Sequence, residues 1–345
     1  MEFSSPVTEV PPEKTVKPST KPSVTDKNYF FEGTENPTLK KSFGYLDRFQ
    51  DWLGGYVEDV GESADAFFGS EEAFDRTQGS RLDILTPVTF HAGGKIDTSI
   101  RFRAKLALPR TNKRWNLIIT SAEDSLRELA NEGTTTQTNS SVTANNPGLT
   151  GNNTTNATSV GLRYMLDVKD YSQSFLGFGL NFRNVVEPDP YVRAKGTYKW
   201  KLTDHWYSRM TQDLFWENYA GVGLHSKQVF DYQLDDLNLL RSETYGTWWD
   251  KDQYYELHQA FYFYQRMSKH RAIAYHVGWD WDTQNTGFHM TSYHAGLNLR
   301  ERIYKEWLFF EIEPRVDFYQ ETAFTQADPN ITFMLEAQFY QRHKN

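Results

Sequence analysis

The residues of this chain that could do chemistry are ionisable side chains set at every second position. Arg101, Arg103 and Lys105 run in that way, and so do Arg193 and Lys195, with Lys199 further along. Arg163 and Arg209 sit at matching places in two other segments. An acidic set follows later in the chain: Glu243, Glu256, Asp280, Glu311, Glu313, Asp317 and Glu336. Successive side chains of an extended strand point to opposite faces, so each run places its charges together on one face. The basic set is opposed mainly by Asp167 and Asp213, the acidic set mainly by Arg241 and Arg315. One basic and one acidic wall are therefore expected, suited to passing polar solutes through water or to salt-bridging a closed interior. His258, His276 and His294 share the same parity on three consecutive segments. A turn centred near Asn285 would set His276 across from His294. The sharp reading is a pH-sensitive or metal-binding patch; a hydrogen-bonded polar lining is the plainer one and is preferred, with no metal assigned.

Catalytic patterns are weak. The chain contains no G-x-S-x-G, no H-E-x-x-H and no phosphate-cradling Gly-Lys loop. His225 and Ser226 are adjacent, so a strand sends them to opposite faces. His289 and Thr291 share one face, read as the outward one, without a third partner. The expectation is a protein that is not an enzyme and needs no cofactor, with a barrel-type lipid hydrolase as the most remote alternative. Zero cysteines exclude disulfides and thiolate chemistry. A net charge of -8 argues against a nucleic-acid partner.

The elements that must position these groups are long strands. Only 38% of the residues are hydrophobic and mean hydropathy is -0.69, yet aromatics reach 16%. No run approaches the roughly 18 to 20 apolar residues of a membrane-spanning helix. Instead, apolar and polar residues alternate from about position 80 onward, as in Ile100, Phe102, Ala104, Leu106 and Leu108 against Arg101, Arg103 and Lys105. The alternating segments are 82–91, 95–109, 114–121, 158–168, 172–183, 190–201 and 206–217, then 222–234, 237–249, 252–266, 270–282, 287–302, 306–320 and 330–341. Such lengths suit a tilted crossing of a hydrocarbon core better than the short strands of a soluble sandwich. The expected fold is all-β: an antiparallel up-and-down transmembrane β-barrel of about 14 strands, with 12 as the alternative. An even number puts both chain ends on one side, expected to be periplasmic. Tight turns at 112–114, 169–171, 203–205, 268–270 and 302–305 fall on that side. The long Asn/Thr-rich loop 122–157 and the links 184–189 and 321–329 fall on the other. Trp206, Tyr207, Trp216, Tyr219, Trp248, Trp249, Trp279, Trp281 and Trp307 crowd strand ends, where interfacial girdles belong.

Three parts are expected: an arm over 1–44, an acidic amphipathic helical segment over 45–78, and the barrel over 79–345. Residues 1–40 carry six of the 13 prolines, a tether composition. Residues 1–80 hold 8 Lys/Arg against 15 Asp/Glu, so nearly all the net charge lies there. Between Tyr45 and Phe68, Leu46, Phe49, Trp52, Tyr56 and Phe67 recur at helical spacing. That stripe would pack on its own domain, dock a protein partner, plug an opening or lie on a membrane.

The segment Trp307-Leu308-Phe309-Phe310-Glu311-Ile312-Glu313-Pro314, with the terminal Leu335-Glu336-Ala337-Gln338-Phe339, resembles the closing hairpin of an uncharacterised family of proteobacterial outer-membrane β-barrel proteins. Phe67-Phe68-Gly69 and Leu108-Pro109-Arg110-Thr111 are also similar to that family. Such barrels usually finish on an aromatic residue, whereas here Gln341 to Asn345 follow Phe339-Tyr340. The resemblance implies a bacterial outer-membrane location among lipid and lipopolysaccharide, and supplies no activity. The leading expectation is a porin-like channel for small polar solutes with a transversely charged lumen. The rival is a membrane anchor whose arm binds a periplasmic or outer-membrane partner or a cell-envelope component.

Overall fold

Period-two alternation becomes strand pairing throughout the second part of the chain. The computed structural model describes residues 67–68, 74–75, 79–108, 114–121, 158–169, 171–184, 187–251, 253–283 and 287–340. The strands are β1 Arg81–His91, β2 Ile96–Thr98, β3 Arg101–Ala107, β4 Trp115–Ser121, β5 Thr158–Val168, β6 Ser172–Asn184 and β7 Glu187–Lys201. They continue as β8 Trp206–Glu217, β9 Gly221–Gln233, β10 Asn238–Trp249, β11 Tyr254–Arg266, β12 Arg271–Asp282, β13 His289–Tyr304, β14 Leu308–Tyr319 and β15 Ala327–Tyr340. All pair antiparallel in one sheet, and β15 returns to β1, from Arg81 opposite Tyr340 to His91 opposite Asn330. The sheet is thus a closed barrel without a free edge, the form in which strands satisfy their backbone groups among acyl chains.

The expected single strand over 95–109 is cut in two. β2 and β3 lie on β1 in one register, Thr98 facing Val88 and Arg101 facing Leu85. The gap falls opposite Pro87, which has no N–H to donate to the ladder. Across it the Ser99 N–H still donates to the Pro87 carbonyl at 3.2 Å. Counting β2 with β3, the ring has fourteen strands. Both ends of the ring's chain lie at one end of the barrel, called here the terminal end. The links at that end are short, as expected. Several at the opposite end are equally short: two residues join β6 to β7, and three join β8 to β9. The 184–189 link is therefore a tight connection, because β7 begins at Glu187 with Pro188 and Pro190 already in the ladder. The arm 1–44, the loop 122–157 and the stripe residues Leu46, Phe49, Trp52 and Tyr56 lie outside the described residues.

Outside and inside are chemically reversed relative to a soluble protein. Leu176, Phe178, Leu180, Val192, Leu214, Phe230, Leu240, Phe261, Val277 and Leu335 are exposed on the outer face. Asp83, Asp213, Glu243, Arg300, Glu311 and Glu336 are buried within. An apolar patch this extensive needs an apolar solvent, so the outer face is that of a barrel seated in lipid. Trp206, Tyr207, Trp216 and Tyr219 are exposed at the strand ends, as interfacial girdle residues would be. Trp249 and Trp307 are not girdle residues: Trp249 packs with Phe215, Ala220 and Tyr254, and Trp307 stacks on Phe339.

Two outcomes check this architecture. The chain extracted into detergent should migrate faster on a gel unheated than boiled. Phe178→Arg, which puts a cation on the lipid face, should lower stability in vesicles by about 2–4 kcal/mol, read from urea unfolding.

Candidate functional site in the barrel interior

The pleat turns the basic set inward. Arg101, Lys105, Arg163, Arg193, Lys195 and Arg209 are buried, while Arg103 and Lys199 are half-buried. Of the acidic set, Glu243, Asp280, Glu311, Glu313, Asp317 and Glu336 are buried and Glu256 is half-buried. The acidic wall is not left to face the basic wall across the lumen. Arg300 of β13 binds Glu311 of β14 and Glu336 of β15, the latter at 2.5 Å. Lys227 lies 3.2 Å from Glu243, Arg241 binds Asp231 at 2.7 Å, and Arg315 binds Asp317. These pairs are local, within one strand or between neighbouring strands, except that Arg300 also reaches past β14 to Glu336. Cross-strand distances are short, and a buried charge is costly without a close partner. Lys227 and Arg300 are absent from the sequence-based set because their partners depend on register.

The basic wall is neutralised differently. Arg193 binds Asp213 at 2.5 Å, and Asp83 takes Arg81 at 2.7 Å and Arg103 at 3.2 Å. Asp167 does not oppose this wall. A bulge after Met165 turns it to the outer face near the terminal rim, where it accepts from Ser172 at 2.6 Å and pairs with Lys169. In its place stands Asp75, a residue ahead of the first strand. Its carboxylate binds Arg163 of β5 and lies 3.3 Å from Lys195 of β7. Its main-chain carbonyl accepts from Lys105 of β3 at 2.5 Å and from Gln173 of β6 at 3.1 Å. Burial pushes the Asp75 carboxyl up, but Arg163, Lys195 and Lys105 outweigh it and hold the group well below the usual carboxylate range. A lowered carboxyl contributes its stability above the unfolded value and loses it only as pH falls through the lowered one, so this contact survives ordinary acidification.

The same segment touches the far wall. Phe68 is buried against Ala260, Tyr262, Tyr264, Ala272 and Ala274, with its ring 5.2 Å from that of Tyr264. Three alanines on β11 and β12 leave the hollow that the ring fills. Phe67 meets Phe309 edge-on at 5.9 Å, and Phe74 lies under Arg81 and Arg103. β5 and β11 are half a turn apart in the ring. Phe68 and Asp75 therefore hold opposite walls of the interior. Of the stripe residues, Phe67 is among those described, and it meets the inner face of β14.

His258, His276 and His294 are all buried on the inner face. His276 is not across from His294. It faces Gly296, and His294 faces Gly278. The turn lies half a residue later than expected and a bulge at Thr291 adds another shift. Each imidazole occupies the space over a glycine; a Cβ at Gly278 would come within 2.5 Å of His294. His258 Nδ1 is 2.6 Å from Asp280, whose other oxygen accepts from Ser292 at 2.6 Å. His276 lies 3.8 Å from Glu313, and the His258 ring stacks on Tyr245. Tyr254 donates to Glu256 at 2.9 Å. Among the described residues, no group of three or more His, Asp or Glu side chains is arranged to hold a metal.

His225 is fully buried with its Nδ1 2.8 Å from the Thr247 hydroxyl, while Ser226 donates to Gln212. Their separation onto two faces is as strand geometry demands. His289 of β13 faces Asp282 of β12, its Nε2 3.5 Å from the carboxylate. That pair lies on the inner side, and the bulge separates His289 from Thr291. The outward His289–Thr291 pairing is thus absent.

No protein-family model matches this chain, and no curated protein matches it. The resemblance to an uncharacterised proteobacterial family rests on the short segments quoted above. Among solved structures, the chain is similar to the outer membrane channel DcaP of Acinetobacter baumannii, at 10% identity. That match covers 76% of this chain and 96% of the other, with a TM-score of 0.41. OmpT of Vibrio cholerae is 8% identical, with 75% and 96% covered and a TM-score of 0.47. The CymD monoaromatic hydrocarbon channel is 7% identical, with 79% and 91% covered and a TM-score of 0.40. Scores of this size say nothing of this chain's task.

The Arg300 triad is the interior's most exposed dependency. Arg300→Gln leaves Glu311 and Glu336 buried side by side without their cation. It should cost about 3–5 kcal/mol, measured by denaturant unfolding in detergent.

Proposed function

We propose that the protein is a porin-like channel of the bacterial outer membrane for small polar solutes, with its passage restrained by the chain's own N-terminal segment. The observation that carries this reading is the gathering of Lys105, Arg163 and Lys195 on one wall around a carboxylate that comes from outside the strands. A lumen that had only to be filled would be served as well by apolar side chains, since buried ion pairs rarely outperform them in stability. A same-sign cluster in a membrane barrel is costly without an anion, and such residues usually mark a solute path. Fourteen strands also enclose more room than the eight-strand barrels that side chains fill. The orientation follows from the usual form of bacterial barrels, in which short turns face the periplasm. Both chain ends would then be periplasmic, and the 122–157 loop would lie at the outer mouth.

Planar-bilayer recording tests the reading. The full chain should give discrete conductance steps of low open time. Phe68→Ala, which removes the ring seated on Tyr264, should raise the open time severalfold. A barrel that stays sealed in both forms would count against a channel.

A further inference from the structure

The groups around Asp75 describe the shape and charge of a ligand. Arg163 and Lys195 address the two oxygens of its carboxylate. Lys105 and Gln173 address a third oxygen, the carbonyl of the same residue. Between the carboxylate carbon and the carbonyl carbon of an aspartate lie two carbons, Cβ and Cα. The piece of chain gripped here is therefore a four-carbon unit with oxygen at both ends. That is the skeleton of succinate.

We propose that the Lys105–Arg163–Lys195–Gln173 pocket is a binding site for four-carbon dicarboxylates, which Asp75 occupies as a built-in ligand. The pocket is made for an anion at both ends. At the carbonyl end a lysine ammonium meets a neutral oxygen, where a second carboxylate would gain a charge-assisted hydrogen bond. The guanidinium of Arg163 lies over the Phe175 ring at 4.5 Å, which restricts its orientation before any ligand arrives. A compact inorganic anion has no second oxygen at the separation the pocket serves, and a diamine has the wrong charge.

Asp75 belongs to the same chain, so it competes at a high effective concentration. A free dicarboxylate must displace it, and its apparent affinity falls by the fraction of time the pocket is occupied. The pocket then couples solute to passage: a dicarboxylate that takes Asp75's place releases one of the two holds of the N-terminal segment. This coupling rests on the channel reading above, whereas the binding itself does not.

Titration calorimetry with succinate on the full chain in detergent tests the site, with heat-modifiable migration confirming a folded barrel in each variant. Asp75→Asn should bind succinate at least about tenfold more tightly than the parent chain. Phe68→Ala, which loosens the segment without touching the pocket, should shift affinity in the same direction. Adding Arg163→Gln to Asp75→Asn should abolish the gain. Equal succinate affinity in the parent and both single variants would overturn the proposal. So would phosphate or 1,4-diaminobutane binding as tightly as succinate. Bilayer recording separates the two ideas: an Asp75→Asn barrel that binds succinate yet stays sealed removes the channel and keeps the site. One that conducts without binding succinate removes the site and keeps the channel.

Discussion

Hydrocarbon solvates neither a peptide group nor a charge, and most of this structure follows from that. Every strand must find a partner on both sides, so the sheet closes through the β1–β15 ladder. Every ionised side chain must leave the outer face, so the pleat delivers arginines, lysines, aspartates and glutamates inward. Once inside, each is far more costly alone than paired, and the interior resolves into short-range associations such as Arg300 with Glu311 and Glu336. The barrel is held from outside by lipid and from inside by electrostatics at close range.

That economy gathers cations on one wall, and a further carboxylate reaches them from the N-terminal segment. Asp75 brings a carboxylate and a carbonyl to Lys105, Arg163, Lys195 and Gln173, while Phe68 finds an alanine-lined hollow half a turn away. One contact is charge-driven and the other apolar, so they respond to different perturbations. Salt and competing anions weaken the first far more than the second. A segment held by two such unlike contacts can lose one and keep the other, which is how a restraint becomes adjustable.

The strands were legible because alternation over ten or more residues is a local property. β5 and β8 begin and end where the pattern does, at 158–168 and 206–217. The inward parity of the charged sets could be read the same way. The break between β2 and β3 could not, since its cause, Pro87, lies on the neighbouring strand. The offset of His276 from His294 depends on an extra residue at Thr291, and the departure of Asp167 from the basic wall depends on a bulge at Leu166. Bulges leave little trace in hydropathy. Trp249 and Trp307 look like girdle residues by position, but they turn to packing partners supplied by other segments.

The chain by itself determined its class, its approximate number of strands and which side chains share a face, because a period of two is written into consecutive residues. The tertiary structure decided which charge meets which, and placed Asp75 among three cations that lie 30, 88 and 120 positions further along. Partner choice between remote residues depends on register and on ring closure. Both are set by the summed fit of all fourteen strands rather than by any one of them.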